Sequence, residues 1–165
     1  MRKVARCTTL MVVVLLTGLL GCDRKTEQAE TPKVSTEKIL KNVKVVVPPE
    51  VQGKWKAVKI AVQDKKSNDE EIYTVDIGSS FTVKNSDVSL RTKVFLPAFI
   101  MDGTTMTSAS NEPKNPAVQI SVSEGGEEIY QGWLFSLYPG AHAFQHPRFS
   151  FTLVDFIPSE KNVDN

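Results

Sequence analysis

Cysteine occurs only twice in the 165 residues, at Cys7 and Cys22, and nowhere after that. Everything from residue 23 onward must therefore fold without a disulfide, and thiol catalysis and thiolate metal sites are excluded there. Histidine also occurs only twice, so few groups remain for acid–base or nucleophilic work near neutral pH. The Gly-x-Ser-x-Gly elbow, the Gly-x-x-x-x-Gly-Lys phosphate loop, His-Glu-x-x-His and the calcium loop of alternating acids are all missing. Charge of one sign is not in excess either, since 20 Lys and Arg face 19 Asp and Glu. That balance offers no basic stripe for nucleic acid and no polybasic patch for anionic lipid. The single long apolar run, residues 10–20, is about half the ~20 residues a bilayer-spanning helix needs.

What is present begins with that run. Arg2, Lys3 and Arg6 precede it and no charge interrupts it, which is the anatomy of a cleavable export signal. It ends in Leu19-Leu20-Gly21-Cys22, a small residue before a cysteine with Leu three positions ahead of it. These four residues resemble the lipobox of bacterial lipoprotein signals. The resemblance implies that the Cys22 thiol carries a diacylglyceryl group, that the signal, residues 1–21, is cut between Gly21 and Cys22, and that the new amino terminus is acylated. Two or three acyl chains suffice for stable anchoring, each buried methylene contributing about 0.8 kcal/mol. Removing the signal takes away Cys7 and three of the basic residues but no acidic one, leaving a net charge of −2.

Residues 22–42 read as a flexible polar tether with Pro32 inside it. At about 5–6 Å times the square root of length, some 20 residues hold the domain roughly 25 Å from the membrane. Thr36 could cap one helical turn carrying Ile39 and Leu40, too short to stand alone. Asp23, next to the lipidated cysteine, resembles the signal that retains enteric lipoproteins in the inner membrane; an outer-membrane location stays open.

Beyond the tether the hydrophobic period becomes two, the mark of half-buried strands. Val43, Val45 and Val47 alternate up to Pro48-Pro49. Val58, Ile60 and Val62, then Tyr73, Val75 and Ile77, form a hairpin across the polar residues 64–70. Phe81 and Val83 follow, then a turn at Asn85-Ser86-Asp87. Val88, Leu90, Thr92, Val94 and Leu96 are expected on one face, with Arg91 and Lys93 on the other. A short hairpin is expected around Asp102-Gly103, a loop over residues 110–116, and a strand through Val118, Ile120 and Val122. Gly125-Gly126 then makes a tight turn into the strand beginning at Ile129. Eight of the 13 aromatic residues lie between Tyr130 and Phe156. Each ring buries some 150–250 Å², so this segment is expected to form the centre of the core, with Trp133, Phe135 and Leu137 lining one face.

The fold expected is all-β: one antiparallel β-sandwich of about eight strands over residues 43–158, with a small β-barrel as the alternative and a polar tail at 159–165. Both histidines fall in Ala141-His142-Ala143-Phe144-Gln145-His146-Pro147. Pro147 disfavours a helix at His146, so the expected role is a ring nitrogen tying down the loop; a metal site on His142 and His146, completed by a distant Glu112 or Asp155, is the competing one. Asn111, Glu112 and Asn115, on a loop over a rigid scaffold, join His142 and His146 as candidate recognition residues.

Gly132-Trp133-Leu134-Phe135, Pro139, Ala143-Phe144-Gln145-His146-Pro147 and Phe149 together resemble the Gly-Trp-x-Phe, Pro, Ala-x-x-His-Pro pattern of an uncharacterised bacterial envelope family, the domain of unknown function numbered 2155. The motif covers some 20 residues, and the remaining strands match only in general layout. The resemblance implies an envelope location. It carries over no activity, ligand or site residue, and it includes His146-Pro147 but not His142. The expected function is a lipid-anchored, non-catalytic binding or assembly module with no cofactor, bound to the membrane through Cys22 and to an envelope protein or polymer. A metal-binding protein or metal-dependent enzyme using His142 and His146 is the alternative.

Overall fold

The computed structural model describes residues 43–141 and 144–160. The signal, Cys22, the tether, His142 and the last residues of the tail lie outside the described residues. Within them the chain is all-β: ten strands in three sheets, with no sheet closed into a barrel. Strand β2 (Trp55–Asp64) is central in one three-stranded sheet, between β10 (Phe149–Pro158) and β3 (Glu70–Asp76). A four-stranded sheet follows the order β4 (Ser80–Thr82), β5 (Val88–Leu96), β8 (Ala117–Glu124), β9 (Glu127–Phe135). The third sheet is small: β1 (Lys44–Val45), β7 (Thr105–Ser108), β6 (Phe99–Asp102).

The first two sheets share one core. Val58, Ile60 and Val62 of β2 and Phe149, Phe151 and Leu153 of β10 meet Val88, Leu90, Val118, Ile120, Val122 and Leu134 of the opposing sheet. The alternation in each strand puts these side chains on one face, and burying each one stabilises the fold by roughly 1.5–3 kcal/mol. The β8–β9 hairpin closes through Gly125 and Gly126, whose φ of 59° and 87° are the two positive values a two-residue type I′ turn requires.

The strand β5 departs from strict alternation. Its register against β8 shifts between Thr92 and Val94, so Lys93 is the extra residue of a β-bulge. An extra residue flips every side chain after it. Val94 and Leu96 therefore do not continue the face of Val88 and Leu90; Phe95 enters the main core, and Leu96 and Val94 turn to a second cluster. Thr92, fully buried, is satisfied at the flip: its hydroxyl donates to Asp76 O at 2.8 Å and its amide to Ser79 O at 2.9 Å.

The second cluster corrects the expected role of the aromatic segment. Trp133 and Phe135 pack with Leu96, Ala117 and Val94 beneath Val45, Val47, Phe99 and Met106 of the small sheet and its flanks, on the face of β9 opposite Leu134. Seven of the eight aromatics thus divide between two cores, while the eighth, Tyr138, is exposed, as is Leu137. The antiparallel expectation also has an exception, because β1 runs parallel to β7, with Lys44 opposite Thr105.

Candidate functional site

The loop over residues 110–116 sits at one end of the sandwich and is braced by its own polar side chains. Trp55, at the start of β2, donates its Nε1–H to Asn111 Oδ1 at 2.7 Å. Asn115 works on β6: its Nδ2 donates to Phe99 O at 2.9 Å, and its carbonyl accepts from Phe99 N at 3.0 Å. These two bonds occupy the outward main-chain groups of the first β6 residue and so cover part of an otherwise open edge. Glu112 stays at the surface, 2.9 Å from Lys114 Nζ; the hydrogen bond from Lys114 holds its carboxyl below the usual range.

His146 lies at the other end. Asn111 contacts Trp55 at the start of β2, whereas Arg148 contacts Asp64 at its end; nine steps of about 3.3 Å separate them by some 30 Å. The two expected recognition segments are therefore not one surface. His146 is 4% exposed. Its Nδ1 accepts the amide hydrogens of Arg148 at 3.2 Å and Phe149 at 3.1 Å, which requires a lone pair there and places the ring proton on Nε2. Nε2 lies 3.5 Å from Glu124 Oε1, too far for a good hydrogen bond, and has no other partner among the described residues. Neither nitrogen has a free lone pair, so His146 cannot ligate a metal while the loop keeps this form. His142 lies outside the described residues, and among those described no group of three metal-ligating side chains assembles.

The residues around His146 interlock as a line of rings with Gly132 beside it. The Tyr130 ring lies along Gly132, two positions on and on the same face of β9, where any Cβ would overlap it. Tyr130 stacks on Phe144 with ring centroids 4.4 Å apart, Phe144 tilts against His146 at 5.9 Å, and His146 stacks on Phe149 at 5.4 Å. A continuous run of rings thus links β9 to β10 and closes that flank of the sandwich.

The opposite flank holds a concavity of about 530 Å³ that the sequence reading did not single out. Buried Val62, Val83 and Phe149 form its floor. Its closed end is Arg148, whose Nε and Nη2 reach Asp64 Oδ2 at 2.9 and 2.6 Å and whose guanidinium lies 4.7 Å from the centroid of the Phe149 ring. The hydrogen bonds from Arg148, with that from the Lys66 amide, hold the Asp64 carboxyl below its ordinary range. One wall is β3, where Tyr73 stacks on Phe81 at 4.2 Å, donates to Glu71 Oε2 at 2.9 Å and accepts from Lys84 N at 3.0 Å. Burial, with Glu71 alongside, raises the Tyr73 pKa. The sequence carries no local signal for this site: Ile72, an apolar residue out of phase with Tyr73 and Val75, is 56% exposed but does not line the concavity.

Fold and site define an all-β sandwich flanked by a small third sheet, sealed along one side by stacked rings and grooved along the other. No protein-family model, curated protein or solved structure matches the chain.

Proposed function

We propose that this chain is a lipid-anchored protein of the bacterial cell envelope whose β-sandwich serves as a binding or assembly module for an envelope protein or polymer. The location is supported by the basic and apolar residues ahead of Leu19-Leu20-Gly21-Cys22 and by the polar residues that follow; Asp23 favours the periplasmic side of the inner membrane. The pattern from Gly132 to Phe149 supports kinship with domain of unknown function 2155. What carries binding over catalysis is the contrast between the two flanks. Asn115 and His146 spend polar atoms on holding backbone and Asn111 on the Trp55 indole, whereas the groove of about 530 Å³ lies open beside a sheet edge.

Mass spectrometry of the mature N-terminus tests the anchor. An acylated Cys22 is expected, and a soluble chain that keeps its signal would refute it. Crosslinking in intact cells tests the module: a discrete envelope partner is expected, and a domain that crosslinks to nothing would remove the reading.

A further inference from the structure

The phase of the β2–β3 ladder determines which β3 amides are free. Ile77 N donates to Lys56 O and Asp64 N to Asp69 O at either end of it, and the register between them has no shift. In an antiparallel pair the bonded positions alternate, so Glu71, Tyr73 and Val75 turn their amides toward β2. Glu70, Ile72 and Thr74 turn theirs away, to an edge that no other strand among the described residues occupies. That edge borders the groove floored by Val62, Val83 and Phe149.

We propose that β3 is a docking edge for an extended, basic segment of a partner polypeptide, which adds as a further strand beside β3 and sets alternate apolar side chains over the groove. This rests on the reading of the domain as a binding module and names the chemistry of its partner. Charge selects the occupant. Asp69, Glu70 and Glu71 line the groove, and among the described residues that line it Lys84 is the one cation not engaged by a carboxylate, because Arg148 is held by Asp64. The same charges disfavour a second copy of this chain. An antiparallel β3–β3 pair centred on Tyr73 would set Glu70 opposite Asp76, and like charges directly opposite are destabilising. Main-chain bonds would supply affinity, and alternate side chains specificity, as in other strand-addition complexes.

The test uses the full chain in detergent and an acetylated, amidated octapeptide alternating lysine and valine, with a glutamate-for-lysine counterpart. The lysine peptide should bind and slow amide exchange at Ile72 and Thr74, while the glutamate peptide should bind at least about tenfold more weakly. Ile72→Pro removes only an outward amide, a position at which edge strands accept proline, and should weaken binding about tenfold with the fold intact. If that variant lowers the melting temperature, the pair Asp69→Lys and Glu70→Lys replaces it and should reverse the peptide preference. Equal binding of both peptides, no binding of either, or indifference to these substitutions overturns the proposal. A concentration-dependent dimer abolished by Ile72→Pro assigns the edge to a second copy and overturns it equally. Each of these results can coincide with an acylated Cys22, so the anchor stands or falls separately.

Discussion

The role assigned to His146 can be tested through stability. Replacing it with alanine deletes the acceptor shared by the Arg148 and Phe149 amides and opens the run of rings between Phe144 and Phe149. The Phe149 amide is buried, and leaving such a donor unsatisfied costs about 1–3 kcal/mol; the lost stacking adds roughly 0.5–1.5 kcal/mol. The Arg148 amide is nearer solvent and contributes less. His146→Ala should therefore lose about 3 kcal/mol, on the order of 10 °C in melting temperature for a domain of this size. Urea unfolding followed by the fluorescence of Trp55 and Trp133 should show a lower midpoint with an unchanged slope. His146→Asn discriminates further, because an asparagine oxygen can accept the amides two and three residues on, that of Phe149 among them, and should recover about half of the loss. A wild-type midpoint for His146→Ala would refute the argument, as would an asparagine variant no better than alanine.

Three further tests follow from contacts elsewhere in the domain. Gly132→Ala drives a methyl group into the Tyr130 ring and should cost about 1–3 kcal/mol by overpacking; adding Tyr130→Ala should yield a double variant less damaged than the sum of the singles. Asn111→Ala strips Trp55 Nε1 of its acceptor, so the Trp55 emission should shift and stability should fall by about 1 kcal/mol; Glu112→Ala should leave stability unmoved, since its pair with Lys114 is exposed. Asp64 and Asp155 have carboxyl pKa values lowered in the fold, chiefly by hydrogen bonds from Arg148 and Lys59 respectively. Their contribution is complete above the unfolded carboxylate pKa, near 3.8, and disappears as pH falls through the lower folded values. Asp64→Asn should accordingly flatten the acid limb of a stability–pH profile, and an unchanged limb would contradict the pair.

How much of this is legible in the sequence depends on how far apart the cooperating residues lie. Val58, Ile60 and Val62 or Val118, Ile120 and Val122 announce their strands because alternation is local and one face must be buried. Gly125-Gly126 announces its turn for a similar reason, since consecutive positive φ values suit glycine. The bulge at Lys93 is hard to place from the sequence, because Val88 to Val94 alternates without a break and only Phe95 falls out of phase. Only the demand that Phe95 reach one core and Leu96 another, set by β8 and the small sheet, dictates the slip. The bond from Trp55 to Asn111 spans 56 positions, and the parallel pairing of β1 with β7 joins segments some 60 apart; neither has a local signature. The groove is hidden most deeply: its floor comes from β2, the residue after β4 and the start of β10, and each of those residues taken alone reads as ordinary core.

The two flanks of the sandwich show why the residues that carry the family-like pattern and the residues proposed to bind are different ones. A two-layer sandwich has four sheet edges, and each exposes unpaired main chain unless something covers it. On the β9–β10 side Phe144 and His146, which follow β9 in the chain, seal the gap, held by Tyr130 and Phe149. Gly132 belongs to that seal because only a residue without Cβ lets the Tyr130 ring lie flat. On the β3–β4 side the connection is the short turn around Gly78, and among the described residues no chain covers the edge beyond Tyr73 and Phe81. Glu70 and Asp76 guard it by charge instead, which repels a like strand but admits a basic one. Substitutions in the seal should therefore register as stability, and substitutions along β3 as binding at constant stability. A β3 variant that melts the domain as His146→Ala does would mean that the edge is structural and that the open flank is not a docking surface.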